Sequence, residues 1–487
     1  MKTKSVYSIF KLITLSIAIL LISTNFSFGQ DKAKQIDELM SLYSEYGQFN
    51  GSILVSEQGK IIYKKGFGMA NMEWEIPNKP DTKHRLGSVS KQFTALLILK
   101  LVEEGKLKLD VPISTYLPDY PKKNADIITL HHLLTHTSGI PNYTSFPNFF
   151  KDVSRNYFTP ENFVKQFADL PLQFTPGEKF AYSNSGYFLL GYIIEKVSGK
   201  TYEQNLQETI FSTLKMNNSG YDNSNVILKN RASGYEKNGN GYVNAPFIDM
   251  SIPYAAGSLY STVEDLFLWD QALYSNQLLT PKSMDLFFGS HISTGRGFYG
   301  YGWNINEVSN GSDKLRVIEH GGGINGFNTV ISRIPSNKSL VVILNNTGGT
   351  YLSEMNKAIQ AILYNKPYEM PKMSMAIALQ NIISEKGLTV GMQKFKEFQK
   401  SAKYAIKESE LNDVGYQFLQ SDKINEAIEI FKINVDAFPK SGNAYDSLGE
   451  AYLKSGNKEL AIQNYKKSVA LDPKNENGMK VLEEISK

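Results

Sequence analysis

Apolar and polar positions change their rhythm several times along the chain. Leu12 to Ile22 is a nearly unbroken apolar run, interrupted only by Thr14 and Ser16. Residues from about 38 to 75 alternate as strands do. Within them Gly51-Ser52-Ile53-Leu54-Val55-Ser56 and Lys60-Ile61-Ile62-Tyr63-Lys64 flank Glu57-Gln58-Gly59, the pattern of a hairpin. Ser90 to Glu104 has helical spacing, and Phe93, Leu96, Leu97, Leu99 and Leu101 make it apolar on most sides, which predicts a buried helix ended by Gly105. From about 110 to 290, helical segments alternate with long polar connections. Phe188–Val197, closed by Ser198-Gly199, and Val263–Leu273 are the clearest helices there. Strand patterns return at Gly302–Ile305, Asn328–Ile334 and Ser339–Leu344. Strands at both ends with helices between predict an α+β domain whose sheet joins its two ends.

From about 370 onward only helical patterns remain, and a repeat emerges. Gly415 and Gly449, Ala427 and Ala461, Phe431 and Tyr465, and Pro439 and Pro473 each share one offset of 34 residues (449 − 415). The second copy reads Ala444-Tyr445-Asp446-Ser447-Leu448-Gly449-Glu450-Ala451-Tyr452 and ends at Leu471-Asp472-Pro473. Period and positions resemble the tetratricopeptide repeat, a helix pair that buries its apolar face against its neighbour. A helical pair at about 373–402 would supply a preceding layer, and Gly478–Ile485 a capping helix. The expected boundaries are a leader at 1–29, a first domain at 30–365, a helical linker or repeat-like layer at 366–405, and repeats at 406–487.

The chain has 487 residues, enough for at least two domains, with 41% hydrophobic and 21% charged residues. Its net charge of +4 carries no dense basic stripe, so nucleic acid is not an expected partner. There is no cysteine, which excludes disulfides, thiolate nucleophiles, Cys-based zinc sites and a lipid anchor on an N-terminal Cys. Lys2, Lys4 and Lys11 precede and open the apolar run, and Ser27 and Gly29 stand at −3 and −1 of a cut before Gln30. That is the layout of a secretory signal peptide, on a run shorter than the roughly 20 residues of a spanning helix. A periplasmic or extracellular, non-lipoprotein location follows. The alternative is an uncleaved membrane anchor.

Three short segments carry chemistry. Ser88-Val89-Ser90-Lys91 puts a hydroxyl and an amine three residues apart at the start of a helix, hence on one face. A serine needs such a neighbour to lose its proton, and a helix N-terminus favours the developing charge. Tyr182-Ser183-Asn184 precedes another helix, where Tyr182 would exchange a proton with Ser88 if a nearby cation lowers its pKa. His320-Gly321-Gly322-Gly323 lies between strand-like segments, where glycines let a ligand approach free backbone N–H groups.

In order and spacing these segments resemble the serine hydrolases of the class C β-lactamase and D-alanyl-D-alanine carboxypeptidase family. Leu133-Leu134-Thr135-His136-Thr137-Ser138-Gly139-Ile140-Pro141, Ala256-Gly257-Ser258 and Gly300-Tyr301-Gly302-Trp303 resemble further family segments, and the likeness runs from about 38 to 346. It implies a β-lactamase/transpeptidase-like domain, an antiparallel sheet flanked by helices with a helical subdomain, ahead of an all-α tetratricopeptide-repeat domain. By the same resemblance Ser88 would be acylated, with Lys91 and Tyr182 as the base system in an order left open. Asn184 would contact the substrate amide or orient Lys91. Backbone N–H groups of Ser88 and Gly323 would form the oxyanion hole, with His320, Gly321 and Gly322 where β-lactamases carry Lys-Thr-Gly. A mostly neutral histidine in place of that lysine points to esters or small amide and peptide bonds, in substrates that include cell-wall fragments, rather than to efficient β-lactam hydrolysis. The alternative is a β-lactamase, or a penicillin-binding sensor that turns over slowly and signals through its repeats. The repeats would bind a protein or peptide partner, or merely pack on the hydrolase. No cofactor is expected. His132 and His136 are four apart, but Leu133 stands where a His-Glu-x-x-His zinc motif has its Glu, so no metal is expected either.

Overall fold

A computed structural model describes residues 31–238, 241–310 and 313–486, and the leader segment expected at 1–29 lies outside them. The chain divides into two compact units. One comprises residues up to Glu236 together with Asn244–Glu369, the other Lys237–Val243 together with Met370–Lys487.

The first unit is built on an eight-stranded antiparallel sheet. Its strands are β1 (Gly51–Glu57), β2 (Lys60–Phe67), β3 (Ile292–Ser293), β4 (Phe298–Tyr299), β5 (Asn304–Asn310), β6 (Asp313–Ile324), β7 (Phe327–Ile334) and β8 (Ser339–Asn345). They lie in the order β3-β4-β5-β6-β7-β8-β1-β2, so the N-terminal hairpin closes onto the last strand of the unit. Gly51 pairs with Asn345 and Ser56 with Leu340, which is the joining of the two ends expected from the pattern.

The sheet is covered on both faces, which explains its unbroken apolar runs. Leu54, Leu340, Val342 and Leu344 enter one core, and Ile53, Val55, Val341 and Ile343 the other. In the larger core α2 (Lys91–Glu103) is buried on nearly every side, and Gly105, at φ +71°, takes the left-handed conformation that ends it. The second core is sealed by α1 (31–45) and by a helix at Leu352–Leu363. Here the strand expectation from about residue 38 is corrected. Ile36, Leu39, Met40 and Tyr43 are buried at spacings of three and four, a helical stripe, and the first strand begins only at Gly51. A second correction concerns His320–Gly323, which is not a connection but the last part of β6, paired with Asn328–Ile331 of β7.

In the second unit the 34-residue offset becomes a packing rule. Helices Glu408–Gln420 and Ile424–Ala437 form one pair, and Gly442–Lys454 and Lys458–Leu471 the next. A Cβ on Gly415 would lie 2.4 Å from the Phe431 ring, and one on Gly449 would lie 3.0 Å from Tyr465. Each glycine thus lets the aromatic of its partner helix approach the backbone. Helices Met375–Lys386 and Leu388–Phe398 precede the pairs, and Met375, Leu379 and Ile383 share a core with Leu411, Val414 and Phe418. Glu476–Ser486 follows as a final helix.

Candidate active site

Ser88 sits in a 3-10 turn, Gly87–Ser90, that leads into α2. The turn is held from behind. The Leu86 N–H donates to the Leu259 carbonyl (2.8 Å), the Leu86 carbonyl accepts from the Thr329 hydroxyl (2.7 Å), and Ser90 Oγ accepts from the Leu259 N–H (3.2 Å). Gly87 has φ +54°, and a Cβ there would lie 2.9 Å from the Gly323 nitrogen, so a side chain is excluded by both conformation and space. Ser88 itself remains partly exposed.

Lys91, one turn on, is fully buried. Its Nζ lies 3.0 Å from Ser88 Oγ, 2.8 Å from Asn184 Oδ1 and 2.8 Å from the Ala256 carbonyl oxygen. Burial holds its pKa well below the ordinary 10.5, which favours the neutral amine. A neutral amine has two N–H donors and one lone pair. The Asn184 and Ala256 oxygens can only accept, so they take both donors and leave the lone pair facing the Ser88 hydroxyl.

Tyr182 hydrogen-bonds to Ser88. Burial raises its phenol above the ordinary value of 10.0, against an opposing effect of that bond. Lys91 Nζ is 4.9 Å from the ring centroid, but its own lowered pKa weakens it as the cation that a lowered phenol pKa would require. Burial thus drives the two groups on one hydroxyl in opposite senses, the amine toward losing its proton and the phenol toward keeping it.

Asn184 opens the helix Asn184–Ser198, and its N–H donates to Asn142 Oδ1 (3.1 Å). With Oδ1 accepting from Lys91, its NH2 group is turned to the Thr144 hydroxyl (3.5 Å) and the cavity. That cavity, of about 340 Å³, is walled by Ser88, Asn184, Gly323, Ala256, Phe149 and Phe327 among others.

His320 does not line the cavity, and it is 3% exposed. Its surroundings fix a directed chain of hydrogen bonds. The Ser183 N–H donates to His136 Nδ1 (3.1 Å), so His136 carries its proton on Nε2 and donates to the Tyr299 oxygen (3.2 Å). Tyr299 in turn donates to His320 Nε2 (3.0 Å), and His320 Nδ1–H donates to the Gly321 carbonyl (2.6 Å). Both imidazoles are neutral in this chain. Burial is the main force that depresses His320 to about 3, against an opposing bond to Gly321. The residue expected beside the substrate thus joins β6 to the His136 turn from within.

The glycines divide their work. A Cβ on Gly322 would lie 2.0 Å from the Leu86 carbonyl oxygen, whereas Gly321 and Gly323 have no heavy atom nearer than 3.7 Å and 3.6 Å. Gly322 serves the close approach of β6 to the Ser88 turn, and Gly323 faces the cavity. The remaining candidate histidines have internal partners: His131 Nδ1 meets the Tyr301 hydroxyl (2.8 Å), and His132 Nδ1 accepts from the Thr129 N–H (3.3 Å). Among the described residues no group of three or more His, Asp or Glu could hold a metal ion. Tyr299, Asn142 and Thr144 carry no motif in the sequence. Ala256 opens a segment that resembles the family, but the role of its carbonyl leaves no mark in a side-chain pattern.

The Beta-lactamase family matches residues 33–364 of this chain. The chain belongs to this family of serine hydrolases. The Tetratricopeptide repeat family matches residues 442–475. Penicillin-binding protein 4* of Bacillus subtilis (strain 168) is 33% identical over 362 residues, covering 70% of this chain and 78% of that protein. The crystal structure of a penicillin binding protein from Bacillus halodurans aligns with a TM-score of 0.60 at 30% identity, over 66% of this chain and 98% of that one. D-amino acid amidase from Ochrobactrum anthropi SV3, complexed with L-phenylalanine amide, aligns with a TM-score of 0.58 at 26% identity, over 69% and 96%. This member of the β-lactamase family has no described helix long and apolar enough to cross a membrane.

Proposed function

We propose that the protein is an exported hydrolase that cleaves esters or small amide bonds through an acyl-enzyme on Ser88. The observation that carries this reading is the set of partners around Lys91 Nζ, two pure acceptors and the Ser88 hydroxyl. The unprotonated amine takes the Ser88 proton as Oγ bonds to the acyl carbon. The charge that develops on the acyl oxygen is met by N–H groups of Ser88 and Gly323. Tyr182, whose raised pKa keeps it protonated, delivers a proton to the leaving nitrogen or oxygen as that bond breaks, and Lys91 restores the phenol. Water then releases the acyl group as an acid. Export rests on the leader pattern before Gln30. The tetratricopeptide match supports a protein or peptide partner for the helical unit.

A neutral, inward-turned His320 offers a substrate carboxylate no charge, which favours ester and amide substrates over β-lactams. One preparation assayed on p-nitrophenyl esters, amino-acid amides, D-Ala-D-Ala peptides and nitrocefin tests this. The expected result is ester turnover well above nitrocefin turnover, lost in Ser88→Ala. Faster nitrocefin turnover refutes the substrate assignment, and activity surviving in Ser88→Ala refutes the nucleophile.

A further inference from the structure

The cavity wall carries one charged side chain. Among the described residues that line it there is no Lys, Arg or His, and Glu236 is the only carboxylate. The rest are apolar, glycine, or neutral polar side chains such as Asn184, Asn325 and Asn328.

Glu236 is held in place rather than free to swing away. Tyr235, beside it, donates its N–H to the Asn346 carbonyl (3.1 Å), and its own carbonyl accepts from the Gly348 N–H (2.7 Å). Glu236 Oε1 accepts from the Gly326 N–H (2.9 Å). Gly348 makes room for the carboxylate, since a Cβ there would lie 2.0 Å from Oε2. The side chain is only partly buried, and no described Lys or Arg pairs with it. An ionised carboxylate offers about four acceptor positions, and the Gly326 bond uses one. A carboxylate anchored on the wall of this cavity, with no cationic side chain lining it, attracts a cation and repels another carboxylate.

We propose that Glu236 sets the specificity of this cavity by binding a free ammonium group of the acyl donor, so that the preferred substrates are amides or esters of amino acids, or peptides, with an unblocked amine. This deepens the hydrolase reading and rests on it for the cleavage step. It also states which end of a peptide is recognised: the amine, and not a terminal carboxylate.

The test uses the full chain and both enantiomers of phenylalanine p-nitroanilide, each beside its N-acetyl derivative. Charge-assisted contacts of this kind correspond to a preference of about 10- to 100-fold. The free amine is expected to be favoured by that factor in kcat/KM, mainly through KM, with the preference fading as pH passes the α-amino pKa of about 8. Glu236→Gln keeps an acceptor for the Gly326 N–H and should bring the ratio close to one, whereas Glu236→Asp should retain part of it. A ratio near one in the unaltered protein, or a ratio unchanged in Glu236→Gln, overturns the proposal. Calorimetric binding of phenylalanine amide and N-acetylphenylalanine amide to Ser88→Ala protein separates the two ideas. Preference for the amine there, with no turnover by the unaltered protein, sustains the Glu236 site and sinks the hydrolase reading. Turnover without preference does the reverse, and binding of neither ligand overturns the Glu236 proposal.

Discussion

At the scale of single residues, the chemistry turns on which of two groups holds a proton. Burial pushes the Lys91 amine down and the Tyr182 phenol up. The sequence places a lysine one turn from a serine, but it left open which group acts first, because the order depends on desolvation and on the Ala256 carbonyl, neither of which is written in Ser-x-x-Lys. Asn184 was expected either to contact substrate or to orient Lys91, and its amide can do both, oxygen to the amine and NH2 to the cavity. Asn184→Asp tests the electrostatic part. A carboxylate 2.8 Å from Nζ stabilises the ammonium, so the Lys91 pKa rises and the acid limb of kcat/KM moves to higher pH. Activity at pH 7 should drop about tenfold or more and recover as the pH is raised. A limb that stays in place would show that Asn184 does not govern the charge on Lys91.

At the scale of elements, patterns that repeat were legible and patterns that serve one contact were not. The hairpin, the buried helix α2 and the strand Ser339–Asn345 follow from runs of apolar residues long enough to define a period. The helix at 31–45 was hidden because its stripe of Ile36, Leu39, Met40 and Tyr43 runs directly into an alternating segment. The three glycines after His320 look alike in sequence and suggested room for a ligand. Only their neighbours distinguish them, and Gly322 is the one pressed against the Leu86 carbonyl. Gly322→Ala should therefore cost roughly 1–3 kcal/mol in urea unfolding and lower turnover by shifting the Ser88 turn, whereas Gly321→Ala should be near neutral in both. Equal behaviour of the two variants would contradict the packing role.

At the scale of the whole molecule, the first unit carries neutral histidines that a disordered chain would protonate. His84 is held at about 4, His320 at about 3 and His136 well below 6.5, in each case chiefly by burial. Below pH 6.5 the unfolded chain binds protons that the folded one refuses, so stability falls with pH, by up to about 1.4 kcal/mol per unit for each group. Buried Lys91 acts with the same sign from 10.5 downward. The urea midpoint of the first unit should be lower at pH 5 than at pH 8, and a flat or rising midpoint on acidification would contradict this. The two-unit organisation was legible because a 34-residue period survives in Gly415 and Gly449. The small aromatic-facing glycine is a requirement of each helix pair and is met in the same way twice.

The proposed reaction requires an unprotonated Lys91 to make Ser88 nucleophilic. Its most direct test is the pH dependence of fluorophosphonate labelling, with the adduct mapped by mass spectrometry. The expected result is a single adduct on Ser88, formed at a rate that levels off well below pH 10.5 and is lost in Lys91→Met. An adduct elsewhere, or a rate still climbing where an ordinary lysine titrates, would contradict it.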